Sequence, residues 1–157
     1  MRRRRNAGLT ALALGSMAAG GAAEASERHW LDFTQVAPGS TSNRALACNL
    51  ELCPAATTMR PALQFDASAA DVERALLRLQ PDAEVLRLPS GDIRIRYVAV
   101  TRVMRFRDDV DVLIHSEGPN RTVVAVYSRS RIGLSDLGAN GARITTLERD
   151  LRAALAR

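Results

Sequence analysis

The sequence has no lysine; all 22 of its basic residues are arginine. A guanidinium does not lose its proton in proteins, so every positive charge is fixed; a GC-rich genome would explain the same choice. Aromatic residues are also scarce, at 4% of the chain against 46% apolar residues overall. A core can therefore be built, but mostly from Val, Leu, Ile and Ala. The same scarcity removes the stacking platforms on which single-stranded nucleic acid is held. Histidine is limited to His29 and His115, and cysteine to Cys48 and Cys53. Ligands so few and so scattered argue against a zinc site. No G-x-S-x-G nucleophile elbow occurs, and no internal repeat is visible. No apolar run approaches the ~20 residues of a membrane span.

What is present begins with an export signature. Arg2 to Arg5 form a basic n-region, and Ala7 to Ala19 a weak apolar h-region. Ala23-Glu24-Ala25 then makes an A-x-A site, so cleavage is expected before Ser26. The general secretory route fits best, and the adjacent arginines also permit the twin-arginine route. The expected location is the periplasm or the extracellular space. Cleavage takes four arginines and Glu24 from totals of 22 and 17, which lowers the net charge from +5 to +2. A domain so near neutrality lacks the one-sided basic face that nucleic acid requires.

Cys48 and Cys53 lie in ALACNLELCPAA. An isolated close pair in an oxidising compartment is expected to form a disulfide. A redox-active pair usually has two intervening residues, and this one has four. The loop is short, so the bond should pin a local turn.

Residues 26–62 show no period and read as an irregular lead-in carrying this pair. The compact domain is expected from residue 63 to residue 157. Ser68-Ala-Ala-Asp71 is a helix-capping pattern. Val72, Ala75, Leu76 and Leu79 then mark one helical face, and Pro81 ends it. Ala83–Leu88, Ile93–Thr101, a segment through Val110, Val112 and Ile114, and Arg121–Ser130 read as strands. Asn140 is expected to cap a last helix whose inner face carries Ile144, Leu147, Leu151 and Leu155. The predicted fold is α+β: a small antiparallel sheet of three to four strands, flanked on one face by an N-terminal and a C-terminal helix. Alternating charges at Arg94, Arg96, Asp109 and Asp111 predict that the opposite face meets water.

One polar stretch stands out. Arg105-Phe106-Arg107-Asp108-Asp109 precedes a strand, and Ser128-Arg129-Ser130-Arg131-Ile132-Gly133-Leu134-Ser135-Asp136 runs on through Gly138 and Asn140 to Arg143. With these motifs the chain resembles domain of unknown function family 1499, which carries R-F-x-D-D and S-x-S-R-x-G-x-S-D-x-G-x-N-x-x-R segments in this order. The resemblance covers roughly Leu63 to Leu155 and implies a fold unit without an activity. Its opening is matched loosely: members often carry an S-P-N-C-like string where this chain has Cys48-Asn-Leu-Glu-Leu-Cys53-Pro54. Position 141 is Gly, where many members have Arg.

Physical chemistry gives the stretch two readings. In one, Asp108, Asp109, Arg129, Arg131, Asp136 and Arg143 pair as a structural ion network. In the other, the guanidinium groups with the Ser128 and Ser130 hydroxyls line a cleft for an anion, since arginine forks bind carboxylate or phosphate bidentately. Arg105, Asp108, Arg129, Asp136 and Arg143 are expected to converge at one end of a hairpin. Asp108 and Asp109, as neighbours on a strand, would face opposite sides and make a poor acid–base pair. The function expected is a non-catalytic envelope module binding a protein partner or small anionic ligand, with no cofactor or metal. The alternatives are a small-substrate hydrolase, which needs His115 beside a serine or aspartate, and a purely structural domain.

Overall fold

The computed structural model describes residues 30–37, 43–101, 105–133 and 135–157. The expected export segment, residues 1–25, lies outside them, as do His29 and Leu134.

A short 3-10 turn at Phe33–Gln35 is followed by strands β1 (Arg44–Ala47) and β2 (Leu63–Phe65) and helix α1 (Ala69–Leu79). Strands β3 (Glu84–Arg87), β4 (Ile93–Val100), β5 (Arg107–Gly118) and β6 (Arg121–Ser130) come next, and helix α2 (Ala139–Leu155) closes the chain. The fold is α+β, with a six-stranded antiparallel sheet in the order β1-β6-β5-β4-β3 and β2 also on β6. The expected three to four strands are thus too few. β1 and β2 are too short to show a period, and neither makes a hairpin with its neighbour in sequence. Instead they lie end to end along the long strand β6, Arg44↔Arg129 to Ala47↔Val126 and Leu63↔Val124 to Phe65↔Thr122. Residues 44–47 therefore belong to the sheet, and its first strand precedes the expected opening at Leu63.

Helix α1 begins as its sequence predicts. Ser68 Oγ accepts from the Asp71 N–H at 3.2 Å and donates to Asp71 Oδ2 at 2.7 Å. Gln80 caps the other end, directly before Pro81. Helix α2 departs from expectation. Its N-cap is Gly138, at φ +85°, and Asn140 does not cap. Asp136 does this work: Oδ1 accepts from Gly138 N–H at 3.0 Å and Oδ2 from Asn140 N–H at 2.7 Å.

One core cluster joins Val72, Ala75 and Leu76 of α1 with Ile144, Leu147 and Leu151 of α2. The same cluster takes Ile93, Ile95 and Tyr97 from β4, Val110, Val112 and Ile114 from β5, and Val124 and Val126 from β6. Each valine, leucine or isoleucine among them contributes about 1.5–3 kcal/mol by leaving water. The opposite face is not simply wet. There Phe33, Val36, Leu46, Cys48, Cys53 and Ala56 pack on Leu113, Ala125 and Tyr127. The lead-in covers that half of the sheet, and the Cys48–Cys53 disulfide, with Cα atoms 6.3 Å apart, is buried in the cover. The charges of β4 and β5 occupy the other half, and even there Asp109 and Asp111 are buried.

Candidate functional site

Side chains alternate along a strand, so the register decides which polar residues meet. Ser130 pairs with Asp108, Arg129 with Asp109 and Ser128 with Val110 across β5 and β6. Asp108, Ser128 and Ser130 share the helix-side face, while Asp109, Arg129 and Arg131 lie on the outer face. The polar stretch is therefore two sites with the sheet between them.

On the helix side, Arg143 reaches back from the first turn of α2. Its Nη2 donates to Asp108 Oδ2 at 2.5 Å, and its Nη1 to Ser128 Oγ at 2.8 Å and Asn140 Oδ1 at 2.6 Å. Ser128 Oγ donates to Asn140 Oδ1 at 2.6 Å. Asn140 Nδ2 donates to the Asn43 carbonyl at 2.8 Å and to Ser130 Oγ at 3.1 Å. Asp108, Ser128 and Asn140 are all fully buried. Asp108 Oδ1 has no hydrogen-bond partner among the described residues, so this carboxylate depends on Arg143. Asn140, expected to cap, instead fastens α2 to β6 and to the residue before β1. Asn43 was not anticipated; nothing in its local sequence signals a carbonyl aimed at a helix 97 residues away.

On the outer face, Arg131 donates to Asp109 Oδ1 through Nε at 3.1 Å and Nη2 at 2.6 Å. Arg129 Nη2 stands 3.6 Å from Asp109 Oδ2. Burial pushes the Asp109 carboxyl up, but the Arg131 hydrogen bond and the charges of Arg131, Arg96 and Arg129 outweigh it and hold the carboxyl below its ordinary value. The hydrogen bond to Asp109 and its charge raise Arg131 in turn. Both guanidinium groups remain partly open, with the side chains of Arg129 and Arg131 46% and 44% exposed. Arg96 forms a cross-strand ion pair with Asp111 at 3.7 Å.

A cavity of about 440 Å³ adjoins this group, lined among others by Arg96, Arg107, Arg131, Asp82 and Glu84. Arg107 was absent from the residues singled out in sequence, although it stands within R-F-R-D-D. Among the described residues its side chain has no hydrogen-bond or ion-pair partner. A second cavity, of about 340 Å³, lies on the helix side and is lined by Leu79, Tyr97, Ala99, Arg143 and Leu147 among others. Burial pushes the Tyr97 phenol up to about 12, against a smaller opposing effect of the Arg143 charge.

Three expected members do not join Asp108 and Arg143. Arg129 lies on the outer face of the sheet beside Asp109. Arg105 stands in the β4–β5 connection at φ +54°, exposed, and its side chain meets none of the others among the described residues. The register pairs Val100 with Arg107, which leaves Arg105 in the turn beyond the sheet. Asp136 is spent on capping α2 and pairs with no arginine among the described residues.

His115 does meet an aspartate: its Nδ1 is 2.7 Å from Asp92 Oδ1, near the opposite end of β5. Ser90 Oγ donates to Asp92 Oδ2 at 3.0 Å and not to the imidazole. Among the described residues no serine hydrogen-bonds to His115, so the pair lacks an aligned nucleophile. No group of three His, Cys, Asp or Glu side chains suited to a metal occurs among the described residues.

Fold and site together define a small α+β domain with a buried polar lock under its last helix and open arginines on the other face of the sheet. The chain belongs to the family described as Protein of unknown function (DUF1499), whose profile matches residues 36–151. That match takes in β1 and the disulfide as well as both polar segments. No curated protein matches the chain.

Proposed function

We propose that this chain is a non-catalytic binding domain of the cell envelope that takes an anionic group on the outer face of its sheet. The observation that carries the reading is Arg107, which lines the 440 Å³ cavity beside Arg131 and Arg96 without a side-chain partner among the described residues. An open guanidinium next to one already oriented by Asp109 is suited to grip a carboxylate or phosphate. The disulfide agrees with an oxidising compartment, and with it an exported chain. The helix-side network has the marks of architecture, since Asp108 is fully buried and Arg143, its side chain 16% exposed, is engaged with it, with Ser128 and with Asn140.

Calorimetric titration with succinate and with inorganic phosphate tests the reading. The wild-type protein should bind at least one of them saturably. Arg107→Gln and Arg131→Gln should each weaken that binding at least about tenfold, equivalent to ~1.4 kcal/mol, and Arg107→Gln should do so with little change in melting temperature. A wild-type protein that binds neither anion would end the proposal.

A further inference from the structure

The outer cavity borders an open strand edge. β3 pairs with β4 only from Ile93 to Arg96, so Tyr97 to Val100 have β5 on one side and no strand on the other among the described residues. In an antiparallel ladder successive residues point their amide groups to alternate sides. Leu88 N–H donates to the Asp92 carbonyl at 2.8 Å on the β3 side, and Thr101 N–H to the Phe106 carbonyl at 2.9 Å on the β5 side. Counting between these two bonds, Val98 and Val100 direct their N–H and C=O groups outward at the free edge. Natural sheets usually blunt such an edge with charge, proline or a bulge. Here the two side chains are valines, 43% and 49% exposed.

The two cavities flank this edge, one on each face of the sheet, and Tyr97, Val98 and Val100 line both. Their chemistry differs. The outer one offers Arg96, Arg107 and Arg131 against Asp82 and Glu84, and the helix-side one offers Leu79, Ala99 and Leu147 beside Arg143 and Asp150. A strand laid along the edge would present alternate side chains to these two environments. We infer that the occupant is an extended peptide of alternating acidic and apolar residues, added antiparallel to β4 in line with β3. Its acidic side chains enter the arginine cavity and its apolar side chains the opposite one. Four residues of edge, about 13 Å at ~3.3 Å per residue, fix the length recognised. The inference rests on the anion-binding reading and names the carrier of the anion.

The probe is a blocked pentapeptide, acetyl-Val-Asp-Val-Asp-Val-amide, titrated against the whole protein. In the antiparallel sense its aspartates stand opposite Val98 and Val100 and supply the peptide's own amide hydrogen bonds. N-methylation of both aspartates should therefore weaken binding at least about tenfold, since two backbone hydrogen bonds are lost. Val98→Pro, which removes an outward N–H and leaves the ladder to β5 intact, should have a similar effect. Arg107→Gln should weaken the peptide and free succinate alike. Should Val98→Pro fail to fold, the methylated peptide still decides on the wild-type protein. Equal affinity for the methylated and unmethylated peptides overturns strand addition. So does a protein that binds succinate but no peptide, and in both cases anion binding stands. Failure to bind peptide, succinate or phosphate overturns both proposals.

Discussion

Asp108 and Asp109 are covalent neighbours in opposite surroundings, the one buried against Arg143 and the other beneath two half-exposed arginines. Asp136 has a third role, holding the first turn of α2 by two backbone N–H groups. Removal of such a cap typically costs about 0.5–2 kcal/mol. Asp136→Ala is accordingly expected to lose about 1 kcal/mol in denaturant unfolding, not the several expected from stranding a buried arginine. Loss of 3 kcal/mol or more would show that Asp136 does hold an arginine. Tyr97 acts at the alkaline end. Burial pushes its phenol up to about 12 from the ordinary 10.0. The folded state thus disfavours the phenolate, and the stability is full below about pH 10 and falls as pH rises towards 12. A Tyr97→Phe variant should show a flatter alkaline limb in unfolding experiments than the wild-type protein. An unchanged limb would refute this assignment.

At the scale of elements, the long regular segments were legible and the short ones were not. β6 runs over the expected Arg121–Ser130, and α1 starts at the expected cap. These elements carry a full hydrophobic period and a local stop or start signal. β1 and β2 carry neither, because four and three residues are held in place by the long strand they lean on. The opposed faces of Asp108 and Asp109 followed from strand alternation alone. Of the five residues expected to converge, only Asp108 and Arg143 meet, because bringing the ends of a hairpin together does not say which face each side chain takes: Arg129 falls on the outer face, Arg105 in the turn and Asp136 at the helix cap. Arg107 was missed because its partner Val100, and hence the cavity beside it, is a matter of pairing. The disulfide acts at this scale too, fastening the segment after β1 within the outer-face cluster. Its loop is short, so Cys48→Ala with Cys53→Ala should cost about 2 kcal/mol in denaturant unfolding. A double variant as stable as the wild type would show that the surrounding packing suffices.

Across the whole molecule, one sheet separates a side packed by both helices from a side half covered by the lead-in and half open. The helix side has a continuous aliphatic core and a polar lock centred on the buried Asp108, Ser128 and Asn140. The outer side is covered by the lead-in over one half and opens to the arginine cavity over the other. The family profile, reaching from residue 36 to residue 151, takes in both halves. This division predicts that neighbouring charges differ sharply in what they do for stability. The most direct measurement is denaturant unfolding of Asp108→Ala beside Arg107→Gln. Asp108→Ala leaves Arg143 largely buried without its carboxylate and should lose about 3–5 kcal/mol. Arg107→Gln removes an exposed charge with no side-chain partner among the described residues and should stay within about 0.5 kcal/mol of the wild type. Equal losses in the two variants, or a wild-type midpoint for Asp108→Ala, would contradict the division of the polar stretch into lock and site.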